Sequence, residues 1–234
     1  MTGPKSLIVI PARVDSGRFQ RKLLCEHKGK TLLQWTWEAA IQCSDFANVV
    51  IAADEELFNL QPFEATWLKT SKHKNGTSRA YEAALGATAL QADEGRQVIV
   101  WQADEPDIKV EDVARLSYYK GSEPFAKTMI APLLPEEVEN PNTVKAVINN
   151  SRCVRWFTRS SIPYASAHVG IYCFKSCAQL GQHCRLPIAP AAEIESLEQL
   201  TWLHYGRTVL AWLIDENPLS VNVPTDWIKF QETH

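Results

Sequence analysis

Between residues 13 and 22 the sequence sets Arg13, Arg18, Arg21 and Lys22 around Ser16 and Gly17, directly after the apolar run Ser6-Leu7-Ile8-Val9-Ile10-Pro11. A nucleoside triphosphate carries about four negative charges, and displacement at its α-phosphorus needs cations that keep their protons. Arg13, Arg18 and Lys22 meet that need, and backbone amides around Ser16 and Gly17 add neutral donors. A solvated basic loop has the same composition; its place after a buried strand is what favours chemistry. The second feature, Gln102-Ala103-Asp104-Glu105-Pro106, puts two carboxylates just past another apolar run. Acids there suit magnesium, which takes one or two protein carboxylates and completes its shell with phosphate and water. An acidic surface turn is the alternative.

Three weaker signals accompany these. Asn75-Gly76-Thr77-Ser78-Arg79 precedes a helical stretch and offers hydroxyls and amides either to a nucleotide or to the helix as caps. Glu193, Glu195, Glu198 and Gln199 either reach an acceptor or form a solvated helix face. Gly29-Lys30-Thr31 imitates the end of a phosphate-binding loop, but Leu24 stands where that motif needs glycine, so a turn before a helix is expected. His168, taken alone, reads as structural.

The elements that must position these residues follow from periodicity. Continuous apolar runs at 6–11, 48–54 and 97–102 predict strands buried on both faces, with a short strand at 66–70. Apolar spacing predicts helices over 31–43 and 78–90, the latter capped by Thr77 or Ser78. This β-α-β order implies a parallel sheet whose ligand site lies beyond the carboxyl ends of the strands, where Arg13, Asp54 and Asp104 could converge. Runs at 125–131, 144–149, 154–158 and 168–174 read as strands, the last three as antiparallel neighbours. A helix at 194–205 and strands at 209–215 and 220–223, the last ended by Pro224, close the chain. The expectation is one domain over 1–234: an α/β, Rossmann-like fold with a mixed, mainly parallel sheet flanked by helices. A smaller antiparallel lobe occupies roughly residues 125–190.

Bulk properties exclude some classes. The net charge of −3 gives no basic field for nucleic acid, and no apolar stretch approaches a membrane span or a signal peptide. Six cysteines without a C-x-x-C pair read as reduced thiols in a cytoplasmic protein; Cys177, His183 and Cys184 fit no zinc template.

Taken in order, the motifs resemble the 3-deoxy-manno-octulosonate (Kdo) cytidylyltransferases over nearly the whole chain. The resemblance rests on Ile10-Pro11-Ala12-Arg13 with Arg18 and Lys22, Gly76-Thr77 with Arg79, and Gln102 with Asp104-Glu105-Pro106. It continues through Asn142–Val147, Phe157-Thr158-Arg159, His168–Tyr172 and Glu195–Leu200. It implies transfer of CMP from CTP to an acidic sugar, with release of pyrophosphate and Mg2+ as cofactor. By the same resemblance Arg13, Lys22 and Asp104 are catalytic. Arg13, Ser16, Arg18, Lys22, Thr77 and Asp104 hold the nucleotide. Arg79, Gln102, Arg159, His168, Tyr172, Glu198 and Gln199 surround the acceptor, while Asp104 and Asn222 hold metal. The sequence departs from the family at Ala103 (glycine in relatives), at Gln20-Arg21 (Pro-Gly) and at Asn222, where relatives carry a metal-binding Asp. Only eight residues join Arg159 to His168, a shorter connection than relatives have. Those departures leave open an amino-substituted Kdo, a phosphonate such as phosphonoformate, or a nucleotide-binding homologue without turnover; a homodimer is also open.

Overall fold

The computed structural model describes residues 5–15, 17–91, 95–118 and 124–234. Its elements run β1 (Ser6–Ala12), β2 (Glu26–His27), β3 (Lys30–Thr31), α1 (Leu32–Ile41), β4 (Ala47–Ala53), α2 (Glu55–Leu60), β5 (Trp67–Lys69), α3 (Gly76–Gln91) and β6 (Val98–Trp101). They continue through α4 (Val110–Ser117), β7 (Ala126–Ala131), β8 (Lys145–Ile148), β9 (Val154–Thr158), β10 (Ser166–Phe174) and α5 (Cys177–Cys184). The chain closes with α6 (Pro190–Glu195), α7 (Gln199–His204), β11 (Val209–Leu213) and α8 (Pro224–Thr233).

The main sheet has the order β11-β7-β10-β6-β1-β4-β5. β6, β1, β4 and β5 are parallel, β10 is antiparallel to both β6 and β7, and β11 returns parallel to β7. The sheet is therefore mixed, and parallel on the side built from the continuous apolar runs. Alternate residues of one strand feed opposite cores: Ile8 and Ile10 pack with α1, α4 and α8, whereas Leu7 and Val9 pack with α3, α5 and α7. Burial on both faces explains why these strands show no polar alternation. The smaller antiparallel part is β8–β9, joined to β10 through the pairs Ser166–Ala146 and Ala167–Lys145.

Two sequence expectations fail. The helix expected at 194–205 is two helices, broken where Ser196 adopts φ +53° after α6. The break lets Glu195 turn toward β9 and Glu198 toward α3. Residues 220–223 form no strand. Pro224 opens α8 instead of ending an element, its fixed φ suiting the first helical position. Asp226 accepts from the Asn222 and Val223 amides at 2.9 and 3.0 Å, which fixes the segment before the helix. No described helix is long and apolar enough to cross a membrane, and none of the six cysteines is in a disulfide.

Candidate active site

β1, β4 and β6 end side by side, but only two of the three acidic or basic residues at their ends face the cleft. Asp54 does not. Its two oxygens accept from Val14 N at 2.9 Å and Leu57 N at 3.0 Å, so it caps α2 and pins the start of the loop after β1. Arg13 and Asp104 line the same cleft. Its inner part, about 740 Å³, is walled by Arg13, Arg18, Lys22, Arg79, Arg159, Gln102, Asp104 and Asn222. It opens toward Tyr172, His168, Glu198 and Gln199. Ser16 lies outside the described residues.

Lys22 is buried on a short 3-10 turn. Its ammonium donates to Asp104 Oδ2 at 2.5 Å and to the Val221 carbonyl at 2.9 Å. Val221 N donates in turn to the Asp104 carbonyl at 2.9 Å, so the loop, the end of β6 and the chain before α8 are tied at one point. Thr36 of α1 fixes the same turn by donating to the Ala103 carbonyl at 2.8 Å. Arg18 donates to the amide oxygens of Asn142 and Asn222 at 2.9 and 3.1 Å. Both partners are neutral, so its charge stays available to an anion. Arg21 instead pairs with Glu56 at 2.7 Å on the surface.

Arg79 is buried and donates to Thr70 Oγ1 at 2.5 Å. Burial holds its pKa below the ordinary guanidinium value, with Asp54 opposing the shift and Arg13 adding to it. Arg159 is held by Glu195: its amide donates to Glu195 Oε2 at 3.0 Å and its Nε to the Glu195 carbonyl at 3.2 Å. Burial and then the charge of Arg18 lower its pKa. Cations that depress one another in a cleft store a repulsion that an anion relieves. Lys145 supports this wall from below. Fully buried, it donates to the carbonyls of Asn140 at 2.5 Å and Arg159 at 3.3 Å, holding together the two segments that carry Asn142 and Arg159.

Glu105 is buried beside Asp104. Oε1 accepts from Gly170 N at 2.9 Å, while Oε2 has no hydrogen bond of good geometry, although the Ser220 hydroxyl lies near enough to favour the ionised form. Burial, then the Asp104 charge, push its pKa up to about 8. Two glycines leave room for neighbouring side chains here. A Cβ on Gly76 would meet the Gln102 side chain at 2.8 Å, and one on Gly170 would meet Glu105 Oε1 at 2.6 Å.

On the open side, His168 sits between Phe157 and Tyr172, with ring centroids at 5.1 and 5.4 Å, and burial lowers its pKa to about 3. Burial likewise raises the Tyr172 phenol well above its ordinary value. Thr77 is not in the cleft. It is fully buried on α3 and its hydroxyl donates to Glu198 Oε1, so it orients Glu198 and is not offered to a nucleotide. Asn75, not Thr77 or Ser78, caps α3 by accepting from Ser78 N at 2.9 Å.

The donor set can be tested against a divalent metal. Among the described residues no three His, Cys, Asp or Glu side chains gather. Asp104 supplies one carboxylate, and the Asn222 amide oxygen already accepts from Arg18. That set fits magnesium brought in on a triphosphate, whose oxygens fill most of the shell, and not a resident all-protein site.

A cytidylyltransferase family profile matches residues 7–209. The chain belongs to the cytidylyltransferase family. Among curated relatives, 3-deoxy-manno-octulosonate cytidylyltransferase of Chlorobium phaeobacteroides is 36% identical over 88% of this chain and 87% of its own length. The enzyme of the same name from Chlorobium limicola is 32% identical, covering 94% of each chain. Among solved structures, CMP:2-keto-3-deoxy-manno-octonic acid synthetase complexed with CTP superposes with a TM-score of 0.83 at 30% identity, covering 98% of both chains. The α/β fold, the family and the CTP-dependent nucleotidyltransferase class expected from the motifs thus stand.

Proposed function

We propose that this cytidylyltransferase transfers CMP from CTP to an acidic sugar of the Kdo type and releases pyrophosphate. The observation that carries the reading is the convergence of Arg13, Arg18 and Lys22 with Asp104 in one cleft, in a family whose relatives at this identity are named for that reaction. Arg13, Arg18 and Lys22 hold the triphosphate and Arg79 and Arg159 face the carboxylate of the acceptor, because paired guanidinium donors match a carboxylate fork. Gln102, His168, Tyr172, Glu198 and Gln199 line the space left for the sugar. An acceptor hydroxyl gives up its proton to solvent as its oxygen bonds to the α-phosphorus, the bond from that phosphorus to the oxygen bridging to the β-phosphate breaks, and pyrophosphate leaves with its charge neutralised by Lys22 and the arginines. No covalent enzyme intermediate is needed; positioning and charge neutralisation suffice.

Mg2+ is the proposed cofactor, held by Asp104, with Asn222 joining only if it releases Arg18; it would supply charge neutralisation and lower the pKa of the attacking hydroxyl. Cysteines held outside any disulfide suit a reducing compartment, which supports a cytoplasmic setting for the reaction. Exposed Tyr164, Ile188 and Ile194 supply apolar surface for a homodimer.

The test is pyrophosphate release with CTP and magnesium, offering Kdo, amino-Kdo and phosphonoformate in parallel. Release with Kdo supports the proposal. Release with another acceptor alone moves the substrate, and CTP binding without release from any acceptor marks a non-catalytic homologue.

A further inference from the structure

His168 has two ring nitrogens, and what they offer a ligand depends on which one carries the proton. The answer is built into β7 and β10. The two strands pair antiparallel, but their register shifts between Val169 and Tyr172, and Ile171 lies inside that shift. A bulge interrupts the ladder of backbone hydrogen bonds. Thr128, buried on β7, donates its hydroxyl proton to the Ile171 carbonyl at 2.7 Å. A hydroxyl has one proton to give. The second contact of that oxygen, His168 Nε2 at 2.9 Å, must therefore run the other way, with Nε2–H donating to Thr128 Oγ1.

The ring cannot evade this assignment by charging. Its surroundings are Phe157 and Tyr172, no carboxylate among the described residues pairs with it, and its pKa is depressed to about 3 by burial. A neutral ring protonated at Nε2 carries a lone pair at Nδ1, and no described protein group donates to that atom. His168 lines the open side of the cleft.

We propose that Thr128 is a positioning residue which fixes His168 as the Nε2–H tautomer, so that Nδ1 accepts a hydrogen bond from a hydroxyl or N–H of the acceptor. The site then selects by donor. An acceptor lacking a hydroxyl or amine there leaves the Nδ1 lone pair desolvated and unpaired, which is the arrangement that discriminates most strongly. An anionic oxygen at that place meets another lone pair and is refused. The inference rests on the proposed transfer reaction for its functional half only; the tautomer is a property of the protein alone.

The experiment reads both halves. Long-range proton–nitrogen NMR of 15N-histidine protein, with the His168 signals assigned by a His168→Gln variant, reports which ring nitrogen is protonated. The expected result is protonation at Nε2 in the wild type and in Thr128→Ser, and loss of that single tautomer in Thr128→Val. Steady-state kinetics should then show KM for the acceptor raised about 3- to 10-fold in Thr128→Val, the scale of one neutral hydrogen bond. KM for CTP should stay unchanged, with Thr128→Ser restoring the acceptor value. A wild-type ring protonated at Nδ1 overturns the inference, as does a folded Thr128→Val with wild-type acceptor KM. If the valine variant does not fold, the wild-type tautomer still decides. Absence of pyrophosphate release from the wild type would sink the proposed reaction and leave the tautomer result standing.

Discussion

Replacing Glu105 by Gln removes a titratable group while keeping its shape, and the structure sets the size of the effect. The carboxyl is almost completely buried, with one oxygen bonded to Gly170 N and the other without a hydrogen bond of good geometry. Its pKa rises from 4.5 to about 8, by burial first and by the neighbouring Asp104 charge second. Between those two values the folded protein holds a proton that the unfolded chain has lost. Stability from this group is therefore complete below pH 4.5 and falls as pH rises toward 8. A shift of about 3.5 units at about 1.4 kcal/mol per unit bounds the loss near 5 kcal/mol. Relaxation around the ionised group would bring the measured value to about half of that. Gln imitates the protonated acid: its carbonyl oxygen accepts from Gly170 N and its amide takes the other oxygen's place. Urea unfolding at about pH 5 and about pH 8 measures the difference. The wild type should lose about 2–3.5 kcal/mol more than Glu105→Gln between the two pH values, since part of the linkage is already spent at about pH 5 and part remains at about pH 8. Equal pH dependence in the two proteins would refute the role given to burial.

Three further outcomes follow from the cleft. Lys22→Met should lower the rate of CMP transfer by about 10²–10³-fold, since it removes a preorganised cation from the phosphates; a steady-state rate within a few-fold of wild type would remove Lys22 from the mechanism. Asn222→Asp should lower the magnesium concentration for half-maximal activity if position 222 reaches the metal. If the new carboxylate only pairs with Arg18, the magnesium titration will not move. Gly170→Ala should destabilise the fold by about 1–3 kcal/mol in thermal melts, because its Cβ would press on Glu105 Oε1 at 2.6 Å; an unchanged melting temperature would mean that Glu105 moves aside freely.

The strands that carry Arg13 and Asp104 were legible because β1 and β6 are buried on both faces and so read as unbroken apolar runs. Position after such a strand is a strong local signal, and it makes the basic loop and the acid pair stand out within the sequence itself. What could not be read depends on partners distant in sequence. Asp54 resembles a third strand-end ligand, and only the Val14 and Leu57 amides reveal it as a cap and loop anchor. Thr77 looks like a nucleotide hydroxyl until Glu198, from the far end of the chain, takes it. Lys145 and Thr128 lie within strands where a polar residue ordinarily suggests a solvated face; both are buried and hold the segments behind the site. The chain after residue 219 misled for a related reason. A short apolar run ending in Pro imitates a strand end, whereas the capping carboxylate of Asp226 makes the same proline a helix start.

That one cleft holds both the triphosphate of CTP and the acceptor is tested most directly by phosphorus NMR of the protein with CTP, magnesium and Kdo. The three CTP signals should give way to one phosphodiester signal and free pyrophosphate, only when the acceptor is present. Orthophosphate with CDP, or unchanged CTP beside every acceptor tried, would contradict a shared cleft for nucleotide and sugar.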